Sequence, residues 1–266
     1  LAYAQGKKDL FLKRFSLAVR QALFIVIPFS FLFFVLRAQI VRIILGTGNF
    51  NWQDTRLTAA VLGLFAFGIF AASLLPLFTR AFFVFHNTKT PVFVNIFSML
   101  INIILSFLFV GAIIKLPLLS QRLGSIMKLS DVNNIAILGL PLAITIASII
   151  NLAWHWFDLK KHVGDFGIGE IKKSFLKTLV ASIVAVIFIY VGLYAFSHVF
   201  NTRTVLGLLF QTLGAGLLGG VIYLSVALVL KMEEILMLNI PATLLNWRGI
   251  KNPEPEPVGE SIDDQY

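Results

Sequence analysis

Six long apolar stretches constrain this chain more than any other feature of its sequence. Each is close to, or longer than, the roughly 20 residues that an α-helix needs to cross about 30 Å of hydrocarbon. Membrane β-barrels instead show segments of about ten residues with alternating hydrophobicity. The sequence therefore predicts an all-α integral membrane protein, a polytopic helical bundle of six transmembrane helices. The predicted spans are Leu17–Leu36, Leu57–Thr79, Pro91–Ile114, Val132–Trp154, Thr178–Phe200 and Thr204–Leu230.

Composition narrows the functional classes. Charged residues make up 13% of the chain, about half their share in soluble domains. The absence of Cys excludes disulfides, Cys-based metal sites and Cys nucleophiles. Neither an H-E-x-x-H motif, a P-loop nor a nucleophile elbow occurs, and the carboxylates lie outside the apolar spans. We therefore expect a protein that is not an enzyme and that needs no cofactor, with the exception of a monovalent coupling cation.

The distribution of Lys and Arg predicts the orientation. With six spans, both termini lie on the same side of the membrane. Fifteen of the 22 Lys and Arg residues fall on that side, and only seven fall on the other. The positive-inside rule therefore places both ends of the chain in the cytoplasm. No single face concentrates the basic charge, so anionic membrane lipids are expected partners and nucleic acid is not.

Four regions follow from these patterns. Residues 1–16 are expected to form a cytoplasmic loop cut from a longer protein, and residues 17–230 the six-helix bundle. Residues 231–246 mix charged and apolar side chains, which predicts an amphipathic segment on the membrane surface. Residues 247–266 are rich in proline and acidic side chains, which predicts a disordered cytoplasmic tail.

Proline and glycine mark local features within the spans. Pro28 and Pro141 predict kinks, because proline removes a backbone hydrogen bond. Gly216 and Gly220 form a G-x-x-x-G pattern, which indicates either close helix approach or the ordinary glycine enrichment of membrane helices. Between the second and third spans, Thr88, Thr90 and Pro91 predict a short cytoplasmic hinge, with Pro91 in the first turn of the next helix.

Polar side chains recur at helical spacing in two successive spans, where hydrocarbon disfavours them. By helix geometry the first set covers an arc of about 80° and the second about 120°. One interpretation is hydrogen bonding between helices; the other is that both seams line a water-filled substrate cavity. The two sets are Asn95, Ser98, Asn102 and Ser106 in the third span, and Thr145, Ser148, Asn151 and His155 in the fourth.

A small cation site is a third interpretation. Asn102 and Ser106 lie one turn apart, Thr145 adds an oxygen from the next span, and a carbonyl freed near Pro141 would complete the set. Hard cations prefer oxygen ligands, usually with a carboxylate among them. Arg80 and Lys89 flank the hinge and are the best candidates to hold an anionic ligand, although snorkelling and membrane topology also explain them.

Several of these residues occur in an order that resembles the MviN/MurJ family of lipid II flippases, within the multidrug/oligosaccharidyl-lipid/polysaccharide exporter superfamily. The resemblance extends from about Leu1 to Leu230. Asn87 stands where the family pattern usually has Asp. The order that carries the resemblance is Pro28, Gly48-x-Phe50, Asp54, Ala81-Phe82-Phe83 and Asn87-Thr88-Lys89-Thr90-Pro91.

The resemblance implies a protein of fourteen helices, of which these six would be helices nine to fourteen. Four would complete the C-terminal lobe of a two-lobe exporter, and the last two would be an extra pair flanking a lipid-accommodating groove. Such a protein lies in the bacterial cytoplasmic (inner) membrane and moves a lipid-linked anionic substrate, the peptidoglycan precursor lipid II, by alternating access, with the missing N-terminal lobe as partner. Alternatives are a related exporter of polysaccharide-lipid or drugs, and a membrane scaffold or interaction subunit.

Overall fold

The computed structural model of the chain describes residues 8–46, 51–129, 131–132, 134–202 and 204–238. Within these ranges all regular secondary structure is helical, with eight α-helices and two short 3₁₀ helices. The α-helices are α1 Lys8–Leu45, α2 Trp52–Ala66, α3 Ile69–Val84, α4 Lys89–Lys115, α5 Pro117–Ile126, α6 Gly139–Val163, α7 Ile168–Ser197 and α8 Val205–Val229. The 3₁₀ helices are Ile135–Leu138 and Glu233–Leu238.

The six predicted spans are confirmed by helices that are long and apolar enough to cross a membrane. Five correspond to α1, α4, α6, α7 and α8, and α2 with α3 forms the remaining one. α1 has 38 residues and rises about 57 Å, more than the 40–45 Å of a whole bilayer. α1 already begins at Lys8, so the helix includes the second half of the segment 1–16 that the sequence analysis assigned to a loop.

α1 lies at the centre of the bundle and contacts α2, α3, α7 and α8. α4 packs mainly on α6, α6 also packs on α3, and α7 pairs with α8. We call the end at which α1 begins and α8 ends the proximal end; the α1–α2, α4–α6 and α7–α8 connections lie at the distal end. The charge argument above predicts that the proximal end is the cytoplasmic one.

Pro28 lies inside α1, which continues through it as one helix. Because proline has no N–H, the carbonyl four residues earlier, that of Phe24, loses its donor within the helix. The hydroxyl of Tyr223 on α8 donates to this carbonyl at 2.6 Å. An unpaired carbonyl in hydrocarbon would be costly, so this bond fixes α8 against α1 at the proline.

A break at Phe67 and Gly68 divides the second span into α2 and α3, which the sequence analysis did not predict. The Gly68 N–H bonds to the Phe65 carbonyl at 2.8 Å rather than to Leu64, four residues back. The Thr145 hydroxyl on α6 donates to the Leu64 carbonyl at 3.0 Å. A Cβ at position 68 would lie 3.1 Å from that hydroxyl, so glycine allows the close approach of α6.

Pro141 does not kink the fourth span, and that prediction was wrong. α6 begins at Gly139, so Pro141 lies in its first turn. Backbone N–H groups there have no hydrogen-bond partner within the helix, so proline removes no hydrogen bond. The sequence analysis began this span at Val132 and so placed the proline deeper within it.

Residues beyond Leu238 lie outside the described part of the chain, as does the predicted tail 247–266. The described start of the predicted surface segment is the 3₁₀ helix Glu233–Leu238. Its Ile235, with Met232 before it, is buried against Phe24, Ala181 and Ala227. This part of the segment therefore packs on the bundle.

Candidate functional site

The interface between α4 and α6 brings two of the predicted polar residues together. The side-chain amide of Asn151 donates to the side-chain oxygen of Asn95 at 3.0 Å. Asn151 is buried and Asn95 is exposed, so the pair lies at the edge of the interface. Ser98 is buried on the same side of α4, and its hydroxyl has no hydrogen-bond partner in the described part of the chain. The α4 seam therefore faces α6.

The polar stripe on α6 divides between two neighbours. Thr145 turns toward the break between α2 and α3, as described above. His155 is fully buried; its Nδ1 lies 3.0 Å from the Asn151 carbonyl and its ring packs edge-on against Phe82 of α3 at 5.7 Å. Ser148, between them, is half-buried. Because the stripe covers about 120°, it cannot turn its whole width to α4.

Asn102 and Ser106, the proposed α4 ligands of a cation, are both half-buried. The Ser106 hydroxyl lies 3.5 Å from the Asn102 side-chain oxygen. A carbonyl freed by a kink at Pro141 is not present, because that proline lies in the first turn of α6. The cation site stays a prediction that rests on the remaining side-chain oxygens.

The predicted hinge is a tight turn between α3 and α4. His86 adopts a left-handed conformation (φ 56°), and the Asn87 N–H reaches back to the Phe82 carbonyl at 3.0 Å, which closes α3. The Asn87 side-chain oxygen then accepts from the Thr90 N–H at 3.1 Å, and its amide donates to the Thr90 hydroxyl at 2.9 Å. Pro91 lies in the first turn of α4, as predicted.

The charged residues beside this turn are open to solvent or headgroups. Arg80 and Lys89 are exposed, as is Thr88. Asn87 supplies the cap without a charge, and an aspartate there would lack the amide that bonds Thr90. The turn thus positions two cations at the proximal end, where an anionic ligand could meet them.

Replacing Asn87 with Ala should lower the free energy of unfolding by about 1 kcal/mol, because the first turn of α4 loses its cap. Asn87→Asp keeps an acceptor for the Thr90 N–H and should lose less than half of that. Thermal unfolding of the purified protein in detergent measures both. Equal melting temperatures for the alanine variant and the unsubstituted protein would contradict the capping role.

An apolar groove of about 270 Å³ lies between α1 and α8, with α7 behind it. Aromatic and aliphatic side chains line it on both helices, and three glycines of α8 leave it open. Those that matter below are Phe29 and Leu32 of α1, Ile189 of α7, and Gly216, Gly219 and Gly220 of α8.

The G-x-x-x-G pair does not draw two helices together, so that reading of the pattern was wrong. A Cβ on Gly220 would meet nothing within 4 Å, and one on Gly216 would only reach Leu32 and Leu36 at 3.8 Å. Gly219 is the residue at which α8 meets α7, because a Cβ there would overlap Ile189. Gly216 and Gly220 instead line the apolar groove, which the missing side chains leave open.

Comparison with known proteins places this arrangement in a family. The family model described as "Lipid II flippase MurJ" matches residues 2–214. A solved structure described as "Lipid II flippase MurJ, inward closed conformation" aligns with 88% of this chain and 41% of its own, with a TM-score of 0.61. Its sequence identity is 24%, so this likeness shows the fold.

Curated relatives agree over shorter stretches. A "Probable lipid II flippase MurJ" from Rickettsia prowazekii is 36% identical over 85 residues, which is 32% of this chain and 17% of the relative. The protein of the same name from Borreliella burgdorferi is 32% identical over 88 residues, 33% of this chain and 17% of the relative. The matches thus span about a sixth of the relatives' length. With the family model matching most of its length, this chain belongs to the MurJ family of lipid II flippases.

Proposed function

We propose that this chain forms the C-terminal six transmembrane helices of a flippase that moves lipid II across the cytoplasmic membrane by alternating access. The family match supports the substrate class, and the 41% share of the solved flippase chain supports a partial protein. In this proposal the missing N-terminal lobe faces the bundle, and the proximal end is cytoplasmic.

The apolar groove is the observation that carries the proposal. A flippase must shelter a lipid chain while a polar headgroup crosses the membrane, and a groove of apolar side chains and glycines between α1 and α8 suits a lipid chain. The groove is a concave site between α1 and α8 with α7 behind it, which distinguishes it from the convex surface of a single helix. A membrane scaffold would have no use for such a groove.

The polar residues of α4 form the second part of the proposal. Asn102 and Ser106 are half-buried and lie on the α4 side that carries the Asn95–Asn151 bond. We propose that they border the substrate cavity or bind a monovalent coupling cation when the other lobe is present. Arg80 and Lys89 would then meet the anionic headgroup as it enters from the cytoplasm.

Filling the groove should slow transport without unfolding the bundle. Gly220→Leu adds a side chain where a Cβ meets nothing within 4 Å, so the helix tolerates it and the groove loses its space. An added side chain in a well-fitted groove should weaken the binding of the lipid chain by about 1–3 kcal/mol. That loss of binding free energy corresponds to a flipping rate lower by about tenfold or more. The assay is lipid II translocation by the full-length gene product in proteoliposomes.

Gly111→Leu is the matched control, because Gly111 lies on α4, away from the groove, and its Cβ would also meet nothing within 4 Å. It should flip lipid II at the rate of the unsubstituted protein. Equal flipping rates for both leucine variants would refute a role for the groove. Absence of flipping by the unsubstituted protein, with a soluble partner bound at the loop between α6 and α7, would favour the scaffold function.

A further inference from the structure

We propose that the distal end of the bundle carries a binding site for the diphosphate headgroup of a lipid, distinct from the apolar groove. We call it the distal basic pocket. It is a cavity of about 490 Å³ between α1, α2, the loop after α5, the α7–α8 connection and the first turns of α8. The inference rests on the proposed function, which sets the direction of lipid transfer toward the distal end. The pocket would hold the headgroup there, on the outer side, after transfer.

Four cationic side chains line the pocket and no carboxylate does, among the residues that the structure describes. The cations are Arg37 and Arg42 of α1, Arg56 of α2, and Lys128. The residues that the structure does not describe between these elements, 47–50, 130, 133 and 203, include no Asp or Glu in the sequence. A cleft lined by one sign of charge attracts ligands of the opposite sign, here an anion.

The two acidic residues of the distal end are already engaged. Asp131 pairs with Arg56, whose terminal nitrogen lies 2.7 and 2.8 Å from its two oxygens. The Asp54 carboxylate accepts from the Asn51 N–H at 3.1 Å in the capping box of α2. Within the described ranges, neither Arg37 nor Arg42 has a carboxylate within salt-bridge distance. Even with Arg56 neutralised, three uncompensated cations remain around the pocket.

Arg37 is held in a fixed position. Its guanidinium donates to the Phe34 carbonyl at 2.6 Å and stacks over the Phe34 ring at 4.6 Å. Its stem also packs against Gly63 of α2, where a Cβ would come within 2.8 Å of it. A guanidinium fixed on one side presents its remaining N–H groups in the fork geometry that suits phosphate oxygens.

Membrane topology does not explain these cations. The positive-inside rule accounts for an excess of Lys and Arg on the cytoplasmic side, whereas this pocket lies at the opposite end. The contrast with the proximal pocket is direct: there Arg20, Lys173, Lys177 and Lys231 share about 300 Å³ with three glutamates that offset most of their charge. In the distal basic pocket, among the described residues, only Arg56 has a carboxylate partner.

The position of the pocket suits a lipid headgroup. Trp52 lines it and is 63% exposed, and tryptophan favours the headgroup level of a bilayer. The pocket shares α1 and α8 with the apolar groove. From Leu32 to Arg37 on α1, and from Gly216 to Gln211 on α8, the rise is about 7.5 Å. A diphosphate in the pocket can therefore belong to a lipid whose chain enters the groove.

The test measures binding of farnesyl diphosphate and of inorganic pyrophosphate to the full-length gene product in nanodiscs, by calorimetry. Farnesyl diphosphate should bind, and Arg42→Gln and Lys128→Gln should each raise its Kd about tenfold, the effect of one lost charge-assisted contact. Raising the ionic strength should also raise the Kd. Arg122→Gln and Lys115→Gln, exposed cations of the distal end outside the pocket, should leave it unchanged.

Each outcome decides one point. An unchanged Kd in both pocket variants, at an unchanged melting temperature, overturns the site even if lipid II flipping persists. Pyrophosphate binding as tightly as farnesyl diphosphate overturns the lipid assignment and leaves a free-diphosphate site. Variant-sensitive binding of farnesyl diphosphate without any flipping supports the site and refutes the proposed function instead. If the Arg42 variant does not fold, the Lys128 variant alone decides the outcome, because Lys128 lies in an exposed loop.

Discussion

Replacing Arg20 with Met is expected to lower the free energy of unfolding by about 3 kcal/mol, because it leaves a buried carboxylate unpaired. Arg20 contacts three carboxylates: Glu170 at 3.4 Å, Glu233 at 3.1 Å and Glu234 at 3.2 Å. Glu170 and Glu233 are 70% exposed, so those two pairs contribute little. Glu234 is 4% exposed, so loss of Arg20 would leave this buried carboxylate without its ionic partner.

The same cluster fixes the segment that follows α8. The Lys177 ammonium on α7 donates to the Leu230 carbonyl at 2.6 Å, and Glu234 joins the segment to Arg20 of α1. Loss of Arg20 should therefore release the Glu233–Leu238 helix first. Limited proteolysis of the full-length protein in detergent should cleave near residues 231–238 faster in the Met variant, ahead of global unfolding.

A double variant separates the charge from the packing. Arg20→Met with Glu234→Gln removes both partners of the buried pair, so most of the lost stability should return. Denaturant unfolding in micelles, followed by tryptophan fluorescence, gives the free energies. If the double variant is as unstable as Arg20→Met alone, an unpaired Glu234 is not the cause of the instability.

The sequence was sufficient to locate the spans because a bilayer fixes how long an apolar helix must be. It also placed Pro91 correctly, since a proline after a polar turn suits the first turn of a helix. The predicted loop 1–16 shows the limit of hydropathy. Charged residues from Lys8 onward continue α1 beyond the apolar core, and a hydropathy window cannot detect that continuation.

Contacts between distant segments could not be predicted from spacing alone. Arg20 reads as a snorkelling residue near a span end, yet its partners lie about 150 and 214 positions along the chain. The break at Gly68 also depends on a distant residue, Thr145, which bonds the carbonyl that the break frees. The only local signal was Gly68 within an apolar run, and glycine is common in membrane helices.

The candidate site could be predicted only in part, again because residue spacing does not show which distant helices come into contact. The α4 seam is narrow, so its orientation toward α6 followed from helix periodicity once the two helices were adjacent. The α6 stripe is too wide to face a single neighbouring helix. Only the packing decides that Thr145 bonds to α2 while Asn151 bonds to α4. The resemblance implied a groove beside the last two spans, but the residues that line the apolar groove were not predicted. The α8 glycines had been interpreted as contact residues or as ordinary enrichment, and not as openings.

Gly219→Ala is expected to destabilise the pair α7 and α8 by about 2 kcal/mol, as overpacking does in a closely packed interface. The new Cβ would overlap Ile189, which is 3% exposed and packs with Leu193 and Ala215 in a cluster that gives it little room. Gly220→Ala is the matched control. It adds the same methyl group one residue away where nothing lies within 4 Å, and should leave stability unchanged or slightly raised.

A double-mutant cycle identifies the overlap as the cause. Ile189→Ala removes the atoms that the new methyl would strike, so Gly219→Ala should cost at least about 1 kcal/mol less in that background than in the unsubstituted protein. Additive losses, or equal stability of the two glycine variants, would mean that α8 can shift away from α7 at this point. The position of α8 beside the groove would then depend on its contacts with α1, such as the Tyr223–Phe24 hydrogen bond, and not on the Gly219 contact with α7.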